Sequence, residues 1–184
     1  MKKIALLPLV LITLLSACVE TIKEYPSKNS KLALSSVRDL PIVFPKGSTF
    51  ALSPKYLKEV SITEEQNKKV YHFYSNAIID DFLAQGYKLA GVEHQADFYV
   101  GFGLALESDL SDSQISEKLG VTPGLASSST DSKASFLIYV DEAKDERRVW
   151  RGSAQGYVQK GSNDKARKAR ADYVVTLLLA QYHK

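Results

Sequence analysis

The chain has 184 residues, 45% of them hydrophobic, and a formal net charge of +3. Two of its 24 basic residues, Lys2 and Lys3, stand in the first three positions, and without them the chain is nearly neutral against 21 acidic residues. That balance excludes the strongly basic surface that nucleic-acid binding through phosphates requires.

Met1-Lys2-Lys3 is a short basic segment, followed by the apolar run Ile4 to Leu15, which only Pro8 and Thr13 interrupt. The run is too short to span a bilayer, which needs roughly 20 apolar residues. It has the form of a secretory signal peptide, residues 1–17, ending in small residues. Leu15-Ser16-Ala17-Cys18 resembles the lipobox of bacterial lipoproteins. The resemblance implies cleavage between Ala17 and Cys18 and a diacylglyceryl group on the Cys18 thiol. Acylation of the new amine, with palmitate for example, would follow. Cys18 is the sole cysteine, so the mature domain has no internal disulfide and must stand on its core. Val19 in place of Asp after the cysteine implies, by the sorting rule of enterobacterial lipoproteins, an outer-membrane anchor facing the periplasm.

Residues 18–47 read as a flexible tether, polar and broken by Pro26, Pro41 and Pro45. A single folded domain is expected over 48–184. Its first strand is Thr49-Phe50-Ala51-Leu52. A helix from about Ile62 to Gln85 follows, with Ser61 or Thr63 as N-cap, Glu64 or Gln66 in capping-box register, and Gly86 closing it. Val70, Phe73, Tyr74, Ala77, Ile78 and Phe82 form its apolar stripe.

Ala96 to Leu106 alternates as a strand, with Phe98, Val100, Phe102, Leu104 and Leu106 on one face and Tyr99, Gly101, Gly103 and Ala105 on the other. Residues 107–133 read as a long Ser-rich mobile loop with one helical turn near Ile115 to Leu119. Ala134 to Val140 and Arg148 to Val158 form a hairpin across the charged turn Asp141 to Glu146. A last helix, about Asn163 to Tyr182, is expected to bury Ala166, Ala169, Tyr173, Leu177 and Ala180, with Val174 and Leu178 beside them. The fold expected is α+β: a small, mostly antiparallel sheet of about four strands, order β-α-β-β-β-α, with two helices packed on one face.

Leu83-Ala84-Gln85-Gly86-Tyr87, Ala96-Asp97-Phe98-Tyr99-Val100, Tyr139-Val140-Asp141 and Val149-Trp150-Arg151-Gly152 together resemble the envelope lipoproteins of the domain-of-unknown-function 4136 family, over roughly Phe50 to Tyr182. The front of the chain departs from that pattern, having no counterpart of the usual aspartate-containing opening strand. The proline that commonly follows the last helix is also missing. The same helix–strand order resembles the small periplasmic domain at the front of TolB-like proteins and of lipoprotein activators of peptidoglycan synthases. Either resemblance implies an anchored envelope domain, and neither carries a catalytic residue.

Single residues add little chemistry. His72, His94 and His183 have no partners at metal-ligand spacing, so no metal and no cofactor beyond the covalent lipid is expected. Ser162 and Lys165 match S-x-x-K without its companion motifs, and an N-cap explains Ser162 or Asn163 better. Asp80 and Asp81 diverge by about 100° on their helix and cannot share a proton. Gly101-Phe102-Gly103 lies inside a strand and cradles no phosphate.

The basic run Lys165, Arg167, Lys168 and Arg170 opposes its helix dipole, and as a solvated face it needs no further role. Its functional alternative is an interaction surface for an anionic partner, joined by Trp150 and Arg151 and extended by Lys160, Arg147 and Arg148. Trp150 also reads as a core anchor. The expectation is a non-enzymatic, lipid-anchored module that binds another envelope protein or supports an assembly, with no nucleic-acid partner. The alternative is a periplasmic ligand-binding or hydrolytic domain whose site is assembled from scattered residues.

Overall fold

The computed structural model describes residues 31–53, 63–91, 95–121 and 124–184. Cys18, the signal segment and His94 lie outside the described residues, and so does the candidate N-cap Ser61. The elements in chain order are β1 (Leu32–Arg38), β2 (Thr49–Leu52), α1 (Glu64–Ala84), β3 (Lys88–Leu89), β4 (Phe98–Leu106), α2 (Asp112–Leu119), β5 (Lys133–Glu142), β6 (Arg148–Tyr157) and α3 (Asp164–Tyr182).

Among the described residues the strands form one six-stranded sheet in the order β1-β6-β5-β4-β2-β3. β2 runs parallel to β3 and β4, and the remaining neighbours are antiparallel. The sheet is therefore mixed. A parallel pair needs a crossover, which α1 supplies between β2 and β3.

This overturns the expected sheet of four strands with two helices on one face. One extra strand is β1, which lies inside the stretch read as tether. Its residues pair with β6 from Leu32↔Gly156 to Arg38↔Trp150. Phe44, later in that stretch, also packs: its ring stacks on Phe98 at 4.5 Å. β1 is an edge strand whose side chains are half-buried or exposed, so its hydrophobic alternation is weak. The other extra strand, β3, has two residues and no periodicity to read.

The third helix, α2, occupies the segment read as a mobile loop. Its cap is a full capping box: Ser111 accepts from the Gln114 N–H, and the Gln114 side chain accepts from the Ser111 N–H.

Local chemistry sets the helix ends. Thr63 and Gln66 make the capping box of α1. At its C-terminus Gly86 adopts φ +90°, Tyr87 N–H donates to Phe82 O at 3.1 Å, and Gly86 N–H donates to Leu83 O. This is a Schellman closure, and the accompanying apolar contact is the Phe82–Tyr87 ring pair at 5.5 Å. Asn163 caps α3, accepting from Ala166 N–H at 2.9 Å.

The main core lies between the sheet and the α1–α3 pair. Phe50, Phe82, Phe98, Val100, Ile138, Val140 and Trp150 meet Val175, Leu178 and Leu179 there. α3 buries Ala171, Val174, Val175, Leu178, Leu179 and Tyr182, about one residue round from the expected stripe. Ala169 and Ala180 are exposed. The last half of α3 is apolar almost all round, so its spacing alone does not choose a face. A second, smaller core lies on the opposite sheet face, where Leu110, Ile115 and Val121 cover Ala105 and Leu137.

Candidate functional site

The residues expected to form one interaction surface are split between the two sheet faces. Trp150 is 1% exposed and packs edge-on against Tyr182 at 5.5 Å, so it is a core side chain and not part of a surface. Arg151, the next residue, points to the other face, where its Nη2 meets Asp39 Oδ1 at 2.8 Å. Arg147 and Arg148 pair with Glu142 and Asp141 at the start of β6. The start of α3 follows the far end of β6, roughly 30 Å away for a ten-residue strand. The arginines of the hairpin therefore do not extend the basic run.

Within that run, Lys165 is exposed, Arg167 lies 3.6 Å from Asp164, and Lys168 pairs with Asp172 at 2.8 Å. Arg170 behaves differently. Its Nη2 donates to Tyr157 O at 3.2 Å, so its guanidinium lies over the end of β6.

Above Arg170 the sheet and helices part. A cavity of about 310 Å³ opens between the first half of α1, the start of α3 and the sheet end formed by β4, β5 and β6. Val70, Tyr71, Phe73, Phe102 and Leu104 supply an apolar wall, and Ala134 and Ala166 are too small to close it. The Tyr71 and Phe102 rings stack at 5.0 Å along this wall. Arg167 and Arg170 are the charged side chains among its described lining residues. The cavity thus offers apolar surface and cationic donors, with no carboxylate, imidazole or thiol among those residues.

Sequence reasoning missed this cavity. Its trace was the apolar stripe of α1, which continues through Val70 and Phe73 at the edge of the main core. Both side chains stay half-buried.

The opposite face carries a buried polar cluster. Lys133 Nζ, 1% exposed, donates to Asp112 Oδ2 at 2.7 Å and lies 3.2 Å from Glu107. Gln155 Nε2 donates to Asp112 and to Ser135 Oγ, and its Oε1 accepts from Leu125 N–H. Burial works against the Lys133 charge, but the hydrogen bonds and charges of Asp112 and Glu107 outweigh it and raise the lysine pKa. Burial likewise works against the Asp112 carboxylate, yet Lys133 and Gln155 win and lower its pKa. The cluster clamps α2 and the segment after it onto the sheet. Its polar atoms are spent on each other.

A third grouping lies at the far end of the helix pair. His183 Nε2 and Asp81 Oδ1 are 2.7 Å apart, a pairing the sequence reading did not foresee. The imidazole is boxed by Phe82, Tyr87 and Tyr182. Burial pushes the Tyr182 and Tyr87 hydroxyls up, away from use as acids near neutral pH. The grouping fastens the C-terminus of α3 to α1. Among the described residues no helix is long and apolar enough to cross a membrane.

A family model described as "Domain of unknown function (DUF4136)" matches residues 38–182. A solved DUF4136 family protein from Bacteroides thetaiotaomicron is similar at TM-score 0.51 and 16% identity, over 85% of this chain and 97% of that one. A PDZ domain protein from Parabacteroides distasonis is similar at TM-score 0.51 and 15% identity, over 84% of this chain and 36% of that one. The PelC dodecamer from Paraburkholderia phytofirmans is more distant, at TM-score 0.46 and 8% identity, over 82% of this chain and 96% of that one. No curated protein matches the chain.

Proposed function

Starting from the DUF4136 family, to which this chain belongs, we propose that it is a lipid-anchored module of the bacterial cell envelope that binds a partner and catalyses no reaction. The anchor is Cys18, exposed as the new N-terminus after cleavage behind Ala17, and Val19 favours the outer membrane with the domain facing the periplasm. A multiply acylated cysteine holds a domain on a membrane where a single chain binds only marginally.

The observation that carries the binding role is the lining of the 310 Å³ cavity. Two guanidinium groups and an apolar wall can hold a ligand, and the hydroxyls among the described lining residues, Ser162, Tyr71, Tyr74 and Tyr157, have no carboxylate or imidazole in that lining to act as their general base. The buried carboxylate Asp112 is engaged by Lys133 and Gln155, and the His183–Asp81 pair is enclosed by aromatic rings. Both groupings serve the fold. This favours binding over the hydrolytic alternative.

Intact-mass analysis of the full-length protein extracted from cell membranes tests the anchor. The expected N-terminus is Cys18 bearing diacylglyceryl and an amide-linked acyl chain. An unmodified thiol, or a chain still starting at Met1, overturns it. Crosslinking in intact cells tests the partner role, and specific capture of an envelope component that is lost on Arg170→Glu is the result expected.

A further inference from the structure

We propose that the cavity between α1, α3 and the end of β4–β6 binds a single-chain carboxylate amphiphile, a free long-chain fatty acid. The inference rests on the reading that this domain binds without reacting, and it names the ligand.

The apolar part of the cavity calls for a chain. Val70, Tyr71, Phe73, Phe102 and Leu104 line it continuously, and the half-buried Phe73 and Val70 leave apolar surface in contact with water. Its 310 Å³ lies at the small end of ligand pockets, room for one chain and not for a diacyl lipid. A second cavity of about 30 Å³ adjoins it, sharing Tyr74, Leu104, Ala134 and Arg170.

The charged part calls for an anion. Arg170 uses one donor on Tyr157 O, which leaves the rest of its planar fork for a carboxylate. Arg167, four-tenths exposed, stands one turn away on the same rim. Asp164 is the nearby acid, and it is already engaged by Arg167 at 3.6 Å and Lys69 at 3.9 Å. A carboxylate on the Arg170 side would therefore meet net positive charge.

Access fits the same source. Leu32, near the start of the described chain, packs beside Gly156 and Arg170 at this end of the domain. Thirteen residue steps separate Cys18 from Lys31, and such a stretch spans at most roughly 45 Å. An anchored domain thus presents this end within reach of membrane-derived fatty acids.

The test uses cells expressing the full-length protein, fed a palmitic acid that carries a chain diazirine and a terminal alkyne. After irradiation the protein is purified under denaturing conditions and digested, and adducts are mapped by mass. Adducts with the mass of the free acid are expected on peptides containing Val70 to Tyr74 or Phe102 to Leu106. Leu104→Trp, which fills the cavity, should cut labelling about tenfold, and Arg170→Gln should cut it severalfold at unchanged melting temperature. Lys144→Trp, outside the cavity, should leave it unchanged.

The proposal is overturned if those peptides carry no adduct, or if Leu104→Trp and Arg170→Gln both label like the parent. It is also overturned if the adduct has the mass of a phospholipid, or joins the cavity to the Cys18 peptide. The digest reports the two readings separately. An unmodified Cys18 beside a labelled cavity removes the anchor alone, and an acylated Cys18 beside an unlabelled cavity removes this site alone.

Discussion

Lys133 Nζ donates to Asp112 Oδ2 across 2.7 Å from a position where the lysine side chain is 1% exposed. A charge this deep is held only because Asp112, Glu107 and the Leu125 carbonyl surround it. The pair links the first turn of α2 to the start of β5, and Lys133 also donates to the Leu125 carbonyl in the segment between them. That segment is where the chain looked most like a loop.

Lys133→Met should therefore destabilise the domain by about 2 kcal/mol, less than a fully buried pair because Asp112 is partly exposed. Amide exchange across 107–132 should rise more than in α1 or α3. The pH dependence has a defined sign. The lowered Asp112 pKa contributes stability above its ordinary 3.8, lost as pH falls through the folded value. The raised Lys133 pKa contributes stability below its ordinary 10.5, lost as pH rises through the folded value. The stability gap between parent and Lys133→Met should be flat between those limits and shrink beyond each. Urea titrations across pH measure it, and a gap that peaks at either extreme contradicts the assignment.

Gly101→Ala should destabilise the sheet by about 1–3 kcal/mol. Gly101 lies opposite Tyr139 in the β4–β5 register, and a Cβ there would stand 2.1 Å from the Tyr139 ring. The ring cannot swing away freely, because the Arg148 guanidinium sits over it at 4.0 Å. Thermal unfolding of Gly101→Ala and of Gly101→Ala/Tyr139→Ala decides the cause: the double variant should lose less than the sum of the single ones.

Asn163→Ala should cost about 1 kcal/mol by leaving the Ala166 N–H uncapped, whereas Asn163→Ser should be nearly neutral. Equal losses from both, read by chemical denaturation, would remove capping as the role of Asn163.

Cys18→Ala should move the protein from the membrane fraction to the soluble periplasm without changing its melting temperature. Both described cores are built from residues after 30. Fractionation with circular dichroism checks this, and a misfolded soluble product would show that anchor and fold are coupled.

The helices α1 and α3, the long strand β4 and the β5–β6 hairpin were legible because each repeats its chemistry at a fixed period or carries a capping residue. The helix α2 carried the same signal, Ser111 with Gln114 and then Gly120, but polar residues around it hid the cap. The strand β1 was not legible. An edge strand half-buried on both faces owes its existence to β6, not to its own alternation.

The sequence by itself determined the candidate anchor at Cys18, the family, the ends of α1 and α3, and the apolar stripes of α1 and β4. These follow from local spacing and from motifs read along the chain. Only the tertiary structure decided that Trp150 is buried against Tyr182 while Arg151 finds Asp39, that Lys133 finds Asp112, and that a cavity opens beside Arg170. Those relations join residues far apart in the chain. Their physical cause is the mutual fit of whole elements, which no local pattern encodes.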